Sequence, residues 1–144
     1  MTDTSIKEYL IDRFKEKMAD FLTIEEKDDI KKYTNLFLEN ETDERPDDGY
    51  WYQISFLGVT PEPEALGMFS RNRWISVMQI DICVPLNIGT SALEASYEAI
   101  FNAFPCRYIE NGIRIKSVSR SSARQSGDYC SISVSIHWEA DLEN

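Results

Sequence analysis

The run Trp74-Ile75-Ser76-Val77-Met78-Gln79-Ile80-Asp81-Ile82-Cys83-Val84 decides the fold class. Met78, Ile80, Ile82 and Val84 alternate with Gln79, Asp81 and Cys83. A strand turns successive side chains to opposite faces, so this period of two predicts a half-buried strand over 74–84. Pro85 ends it, because proline brings no N–H to a ladder. The same pattern returns near the end of the chain. Cys130, Ile132, Val134, Ile136 and Trp138 alternate with Tyr129, Ser131, Ser133, Ser135 and His137, which predicts a strand over 129–138.

Between these two strands the period changes. Leu93, Tyr97, Ile100, Phe101 and Phe104 form an apolar stripe at helical spacing, predicting a helix over 89–104. Ser91 and Glu94 make a capping box at its start, and Pro105 stops it. Asn111-Gly112 is a turn signal. Ile113 to Ser119 follows as a strand, with Ile113 and Ile115 inward and Arg114 and Lys116 outward. Residues 121–128 read as a polar loop.

Upstream of residue 74, Thr60 to Asn72 breaks regular structure, since Pro61 and Pro63 cannot join a central ladder. Residues 50–58 read as a strand with Trp51, Gln53, Ser55 and Leu57 on one side. Tyr50, Tyr52, Ile54 and Phe56 lie on the other, so aromatics stand ready to cover both faces. Tyr33 to Leu38 is a short strand and Glu39 to Gly49 an acidic loop with turn chemistry. Glu25 to Asp29 reads as a solvated turn or helix end. Ile6, Leu10, Phe14, Met18 and Phe21/Leu22 predict an amphipathic helix over 5–22. The expectation is an α+β fold in one domain spanning 1–144: a single antiparallel or mixed β-sheet with two α-helices packed on one face.

The chain has 144 residues, 42% of them hydrophobic and 12% aromatic. That suits one globular domain and excludes a disordered chain. No apolar run approaches the roughly 20 residues of a membrane helix. The first residues lack a signal-peptide pattern, so the protein is expected to stay in the cytoplasm where it is made. Cys83, Cys106 and Cys130 are odd in number and widely spaced, and read as reduced packing residues.

The formal net charge is −10, unevenly placed. Residues 1–70 carry net −9, residues 71–124 net +3 and residues 125–144 net −4. An acidic chain is poorly suited to wrapping nucleic acid. The asymmetry fits solubility, and it equally fits copies packing with the basic middle of one against the acidic part of another.

The search for chemistry yields little. His137, the single histidine, lies on the polar face of the last strand, where a general base and a surface histidine are both readable. No nucleophile motif accompanies it. Asp43-Glu44 and Asp47-Asp48-Gly49 cluster carboxylates without the spacing of a calcium loop. No phosphate-binding glycine loop is present. The residues point to no catalytic group, metal or cofactor. They point to an interaction surface instead. The segment 60–73 carries Leu66, Met68 and Phe69, followed by Arg71 and Arg73, a composition that interfaces favour. A hairpin tip with its apolar residues folded under it has the same composition. Arg114, Lys116 and Arg120 extend the basic candidates.

A series of motifs then resembles one family. Trp51-Tyr52-Gln53-Ile54-Ser55-Phe56-Leu57 leads into Pro61-Glu62-Pro63-Glu64-Ala65-Leu66-Gly67. Arg73 and Gln79-Ile80-Asp81-Ile82-Cys83-Val84-Pro85 follow, then Gly89 and a helix ending in Phe104-Pro105. The closing strand over 131–138 and the N-terminal helix also fit. Together, over about residues 5–140, these are similar to the tail terminator (tail completion) proteins of long-tailed bacteriophages. The chain departs from the family at Trp74-Ile75-Ser76, where a glycine is usual, and in its longer acidic loop 39–49.

The resemblance implies a structural subunit without catalytic residues or cofactor. It implies a homo-oligomeric ring, commonly a hexamer, that caps the tail tube protein and stops its polymerisation. The ring would offer a surface to the head-completion or connector protein at the head-proximal end of the virion tail. DNA would only pass through its channel, and an acidic wall would let it slide. Other head–tail joining or tail-tube proteins of related fold remain open. So does, from a different class, a ligand-binding or enzymatic α+β domain using His137 and the acidic loop.

Overall fold

A computed structural model describes residues 3–39, 49–57, 60–63, 72–86, 91–107 and 112–142. The elements run α1 (Asp3–Lys17), a 3-10 turn (Ala19–Phe21), β1 (Ile24–Lys27), β2 (Ile30–Tyr33), β3 (Leu36–Leu38), β4 (Trp51–Phe56) and β5 (Thr60–Pro63). They continue as β6 (Asn72–Pro85), α2 (Ser91–Ala103), β7 (Ile113–Arg120), β8 (Arg124–Ser126) and β9 (Tyr129–Leu142). The fold is α+β, as expected.

The two alternating stretches become the spine of the main sheet. β6 and β9 pair antiparallel from Asn72 opposite Leu142 to Pro85 opposite Tyr129. The strand order is β3-β4-β6-β9-β7, with β5 added beside β6 and β8 beside β9. β3 runs parallel to β4, so the sheet is mixed. Ile80, Ile82, Val134 and Ile136 sit in register across the spine and are buried.

Both helices cover this one face. Ile6, Leu10 and Phe14 of α1 and Met18 just beyond it are buried, as the spacing predicts, although the helix stops at Lys17 and a 3-10 turn takes the place of its expected last turn to residue 22. Leu93, Ser96, Ile100 and Ala103 of α2 are buried with them. All but Ser96 join one cluster with Tyr52, Ile54, Met78, Ile115 and Trp138. Where the helix meets the sheet, the Tyr52 hydroxyl lies 2.6 Å from Ser96 Oγ. Burial pushes the Tyr52 phenol pKa well above its ordinary value.

Four expectations need correction. Residues 24–33 form a hairpin, β1 and β2, as a two-stranded sheet apart from the main one. Its turn residues Asp28 and Asp29 have φ of 54° and 64°, the left-handed values of a type I′ hairpin turn. Strands open to water on both sides need no apolar alternation, so Glu25, Glu26, Lys31 and Lys32 hid them. Tyr33 to Leu38 is accordingly divided between β2 and β3. Second, Thr60–Pro63 is a strand, because it lies at an edge. Pro61 and Pro63 are two residues apart, so their missing N–H groups share the side turned away from β6. Third, the 121–128 loop contains β8, closed onto β9 by Gly127 with φ +58°, where a II′ turn takes glycine. Fourth, Cys106 is exposed, while Cys83 is buried and Cys130 half-buried.

The hairpin is tied to the body at its base. Buried Asn35 accepts from the Thr23 N–H at 2.9 Å and donates to the Phe21 carbonyl at 3.0 Å. Its own carbonyl accepts from the Tyr52 N–H at 2.8 Å. One residue, through side chain and main chain together, thus joins the end of the 3-10 turn, the hairpin and the first sheet edge.

Candidate functional site

Among the described residues, no helix covers the other face of the sheet. Alternation places Gln53, Gln79, Asp81, Ser131, Ser133, Ser135 and His137 there, all half-buried. Ser133 donates to Asp81 Oδ1 at 2.6 Å and accepts from Arg124 Nη2 at 2.8 Å. Gln79 Nε2 donates to the same Asp81 oxygen at 3.1 Å. One end of this face is apolar: the Trp51 ring meets Phe37 at 5.9 Å and Tyr129 at 6.3 Å, both edge-on. The result is a polar, hydrogen-bonded surface with an aromatic border.

In register, His137 stands between Val77 and Ser117. Among the described residues, no three His, Cys, Asp or Glu side chains converge to hold a metal ion. The carboxylates at 43–48 lie outside the described residues. No described helix is long and apolar enough to cross a membrane.

The basic candidates do not form one patch. Arg114 and Lys116 converge on Glu139, at 3.2 and 3.8 Å. That carboxylate is almost fully buried, so the pair of cations balances a charge taken from water. A register shift between Ile115 and Ser117 turns the rest of β7 over. Arg120 therefore points to the helix side, where it meets Glu94 at 2.8 Å. Arg73 stands in β6 opposite Glu62 on one side and Asp141 on the other. Leu66, Met68, Phe69 and Arg71 lie outside the described residues.

The outer side of α2 was not singled out as a surface by the apolar stripe. Leu93, Ile100 and Phe104 of that stripe are buried, but Phe101 is 47% exposed and Tyr97 is half-buried. Adjacent residues are about 100° apart on a helix, so Ile100 and Phe101 cannot both face the core. Glu94, Tyr97, Glu98 and Phe101 line a concavity of about 360 Å³. The two rings lie 6.2 Å apart. Arg120 stacks over Tyr97 at 5.0 Å while bonding Glu94. That hydrogen bond holds the Glu94 carboxyl below its ordinary pKa and raises that of Arg120. The sequence signal for the surface is the repeat Glu94-x-x-Tyr97, Glu98-x-x-Phe101.

A second exposed apolar feature is the β1–β2 hairpin. Ile24 is 55% and Ile30 69% exposed. Lys15 lies over the Tyr33 ring at its base, at 5.2 Å.

No family model matches the chain, and no curated protein matches it. One solved structure, whose name states no function, is similar over 96% of this chain and 97% of its own, with TM-score 0.59 and 14% identity. At that identity the likeness shows a shared fold alone.

Proposed function

We propose that this chain is a structural assembly subunit, a tail terminator of a long-tailed bacteriophage. It forms a ring on the last ring of the tail tube, stops tube growth and presents a surface for head attachment. The observation that carries the reading is where the family-like motifs lie. Trp51 to Phe56 is β4, and Gln79 to Pro85 is the end of β6 directly beside it, with Trp51 opposite Cys83 and Ser55 opposite Gln79. The helix ending before Phe104-Pro105 packs over the same sheet. Motifs scattered over more than fifty residues thus make one packed unit. Three surfaces of the described residues support an assembly role: the sheet face that no described helix covers, the hairpin with its exposed isoleucines, and the outer side of α2.

In this reading the partners are copies of the chain, the tail tube protein and a head-completion or connector protein, with DNA passing through without specific binding. The ring sits at the head-proximal end of the virion tail and is assembled in the cytoplasm of the host bacterium. The test is a phage that lacks the protein. Overlong, headless tails are expected, and complementation with the intact chain restores joined particles. Normal tails joined to heads in its absence would exclude the proposal.

A further inference from the structure

We infer that the concavity on α2 receives the arginine-bearing segment around Arg71 from a second copy of the chain; this rests on the ring reading. The argument begins with a repetition. Glu94 and Tyr97 form a carboxylate beside an aromatic ring, three residues apart on one helix face. Glu98 and Phe101 repeat that arrangement one turn later. The first half is filled from within the chain: Arg120 bonds Glu94 at 2.8 Å and stacks over Tyr97 at 5.0 Å. It shows what this surface binds, a guanidinium held by a carboxylate at its edge and a ring on its face.

Among the described residues, the second half holds no such group. No cation among the described residues approaches Glu98, and Phe101 keeps nearly half of its surface in water. The two rings give the pocket an apolar floor, and Glu98, the carboxylate that Arg120 does not occupy, gives it an acidic wall. Its complement is a segment that carries an arginine beside apolar side chains. Leu66-Gly67-Met68-Phe69-Ser70-Arg71 has that composition. Donor and acceptor are different surfaces of one chain, so the contact is head-to-tail, which generates a ring when the rotation closes.

The experiment uses the full chain and two charge reversals, Glu98→Arg and Arg71→Glu, followed by sedimentation over a range of concentrations. The wild type self-associates. Each reversal alone is expected to raise the dissociation constant at least about tenfold, as loss of a central charged contact does. An equimolar mixture of the two is expected to associate again, because every interface then pairs opposite charges. Docking of the segment onto its own helix would leave the mixture no better than the separate variants, and that result overturns the inference. Reversals without effect on association overturn it too. A wild type that stays monomeric overturns the second-copy contact but leaves the terminator reading to the phage deletion. Should a reversed variant melt early, Phe101→Ser at its exposed position must still weaken self-association at least about tenfold.

Discussion

Replacing Asn35 by alanine tests how the hairpin is held to the body. The side chain is 4% exposed and makes two bonds, accepting from Thr23 N–H and donating to the Phe21 carbonyl. Each such bond is worth about 1 kcal/mol net, and a backbone group left without a partner adds to the loss. Thr23 is exposed, so water can replace its bond, whereas the Phe21 carbonyl faces the space the amide leaves. The sum is a cost of roughly 2–3 kcal/mol. For a chain of this size that lowers the melting temperature by roughly 6–12 °C. The bond from Tyr52 N–H to the Asn35 carbonyl is main-chain and survives, so β3 stays paired to β4. Thermal unfolding followed by circular dichroism reads the shift, and hydrogen exchange should show the β1–β2 amides opening first. Thr34→Ala, at the same junction but with an exposed hydroxyl pair to Thr23, is the control and should cost no more than about 0.5 kcal/mol. An Asn35→Ala protein that melts within about 2 °C of the wild type would refute the clamp.

Three further outcomes follow from other parts of the molecule. The Tyr52 phenol has its pKa raised by burial above its ordinary value of 10.0, so folding favours its protonated form. Stability from this group is whole below pH 10 and declines as pH rises beyond it; the wild type should lose melting temperature above pH 10 more steeply than Tyr52→Phe, and equal slopes would contradict this. Replacing Asp28-Asp29 with Asn-Gly suits the left-handed turn and should stabilise the hairpin by about 0.5–1 kcal/mol, read as slower amide exchange in β1 and β2. A thiol reagent should modify Cys106 rapidly in the native protein and Cys83 only on unfolding, and mass mapping of the labelled peptides distinguishes them.

What the chain discloses before folding depends on where each element meets water. β6 and β9 have one face in the core and one open, so their alternation is strong, and both were legible across residues 74–84 and 129–138. α1 was legible for the same reason. The hairpin was not, because all its described positions but Tyr33 are exposed and burial imposes no pattern there. Prolines hid β5, since an edge position reverses what proline means. The surface on α2 was masked differently. Tyr97 and Phe101 were assigned to the core stripe by type, and only the competing positions of Ile100 and Ser96 reveal the rotation. Among the basic candidates, the register shift after Ile115 decides that Arg114 and Lys116 share Glu139 while Arg120 crosses to the other side, and a bulge leaves little mark in composition.

The fourteen-residue pairing of β6 with β9 has a mechanical meaning. Each strand spans roughly 45 Å, longer than any other element of the sheet. Tension applied along the strand axis loads every rung of that ladder together, as in a lap joint. Tension applied across it opens the rungs one at a time, as in a zip. The molecule is therefore stiff along one direction and weak at right angles to it. A ring that orients this spine along the direction of pull would stay whole under a force that peels the same domain apart from the side.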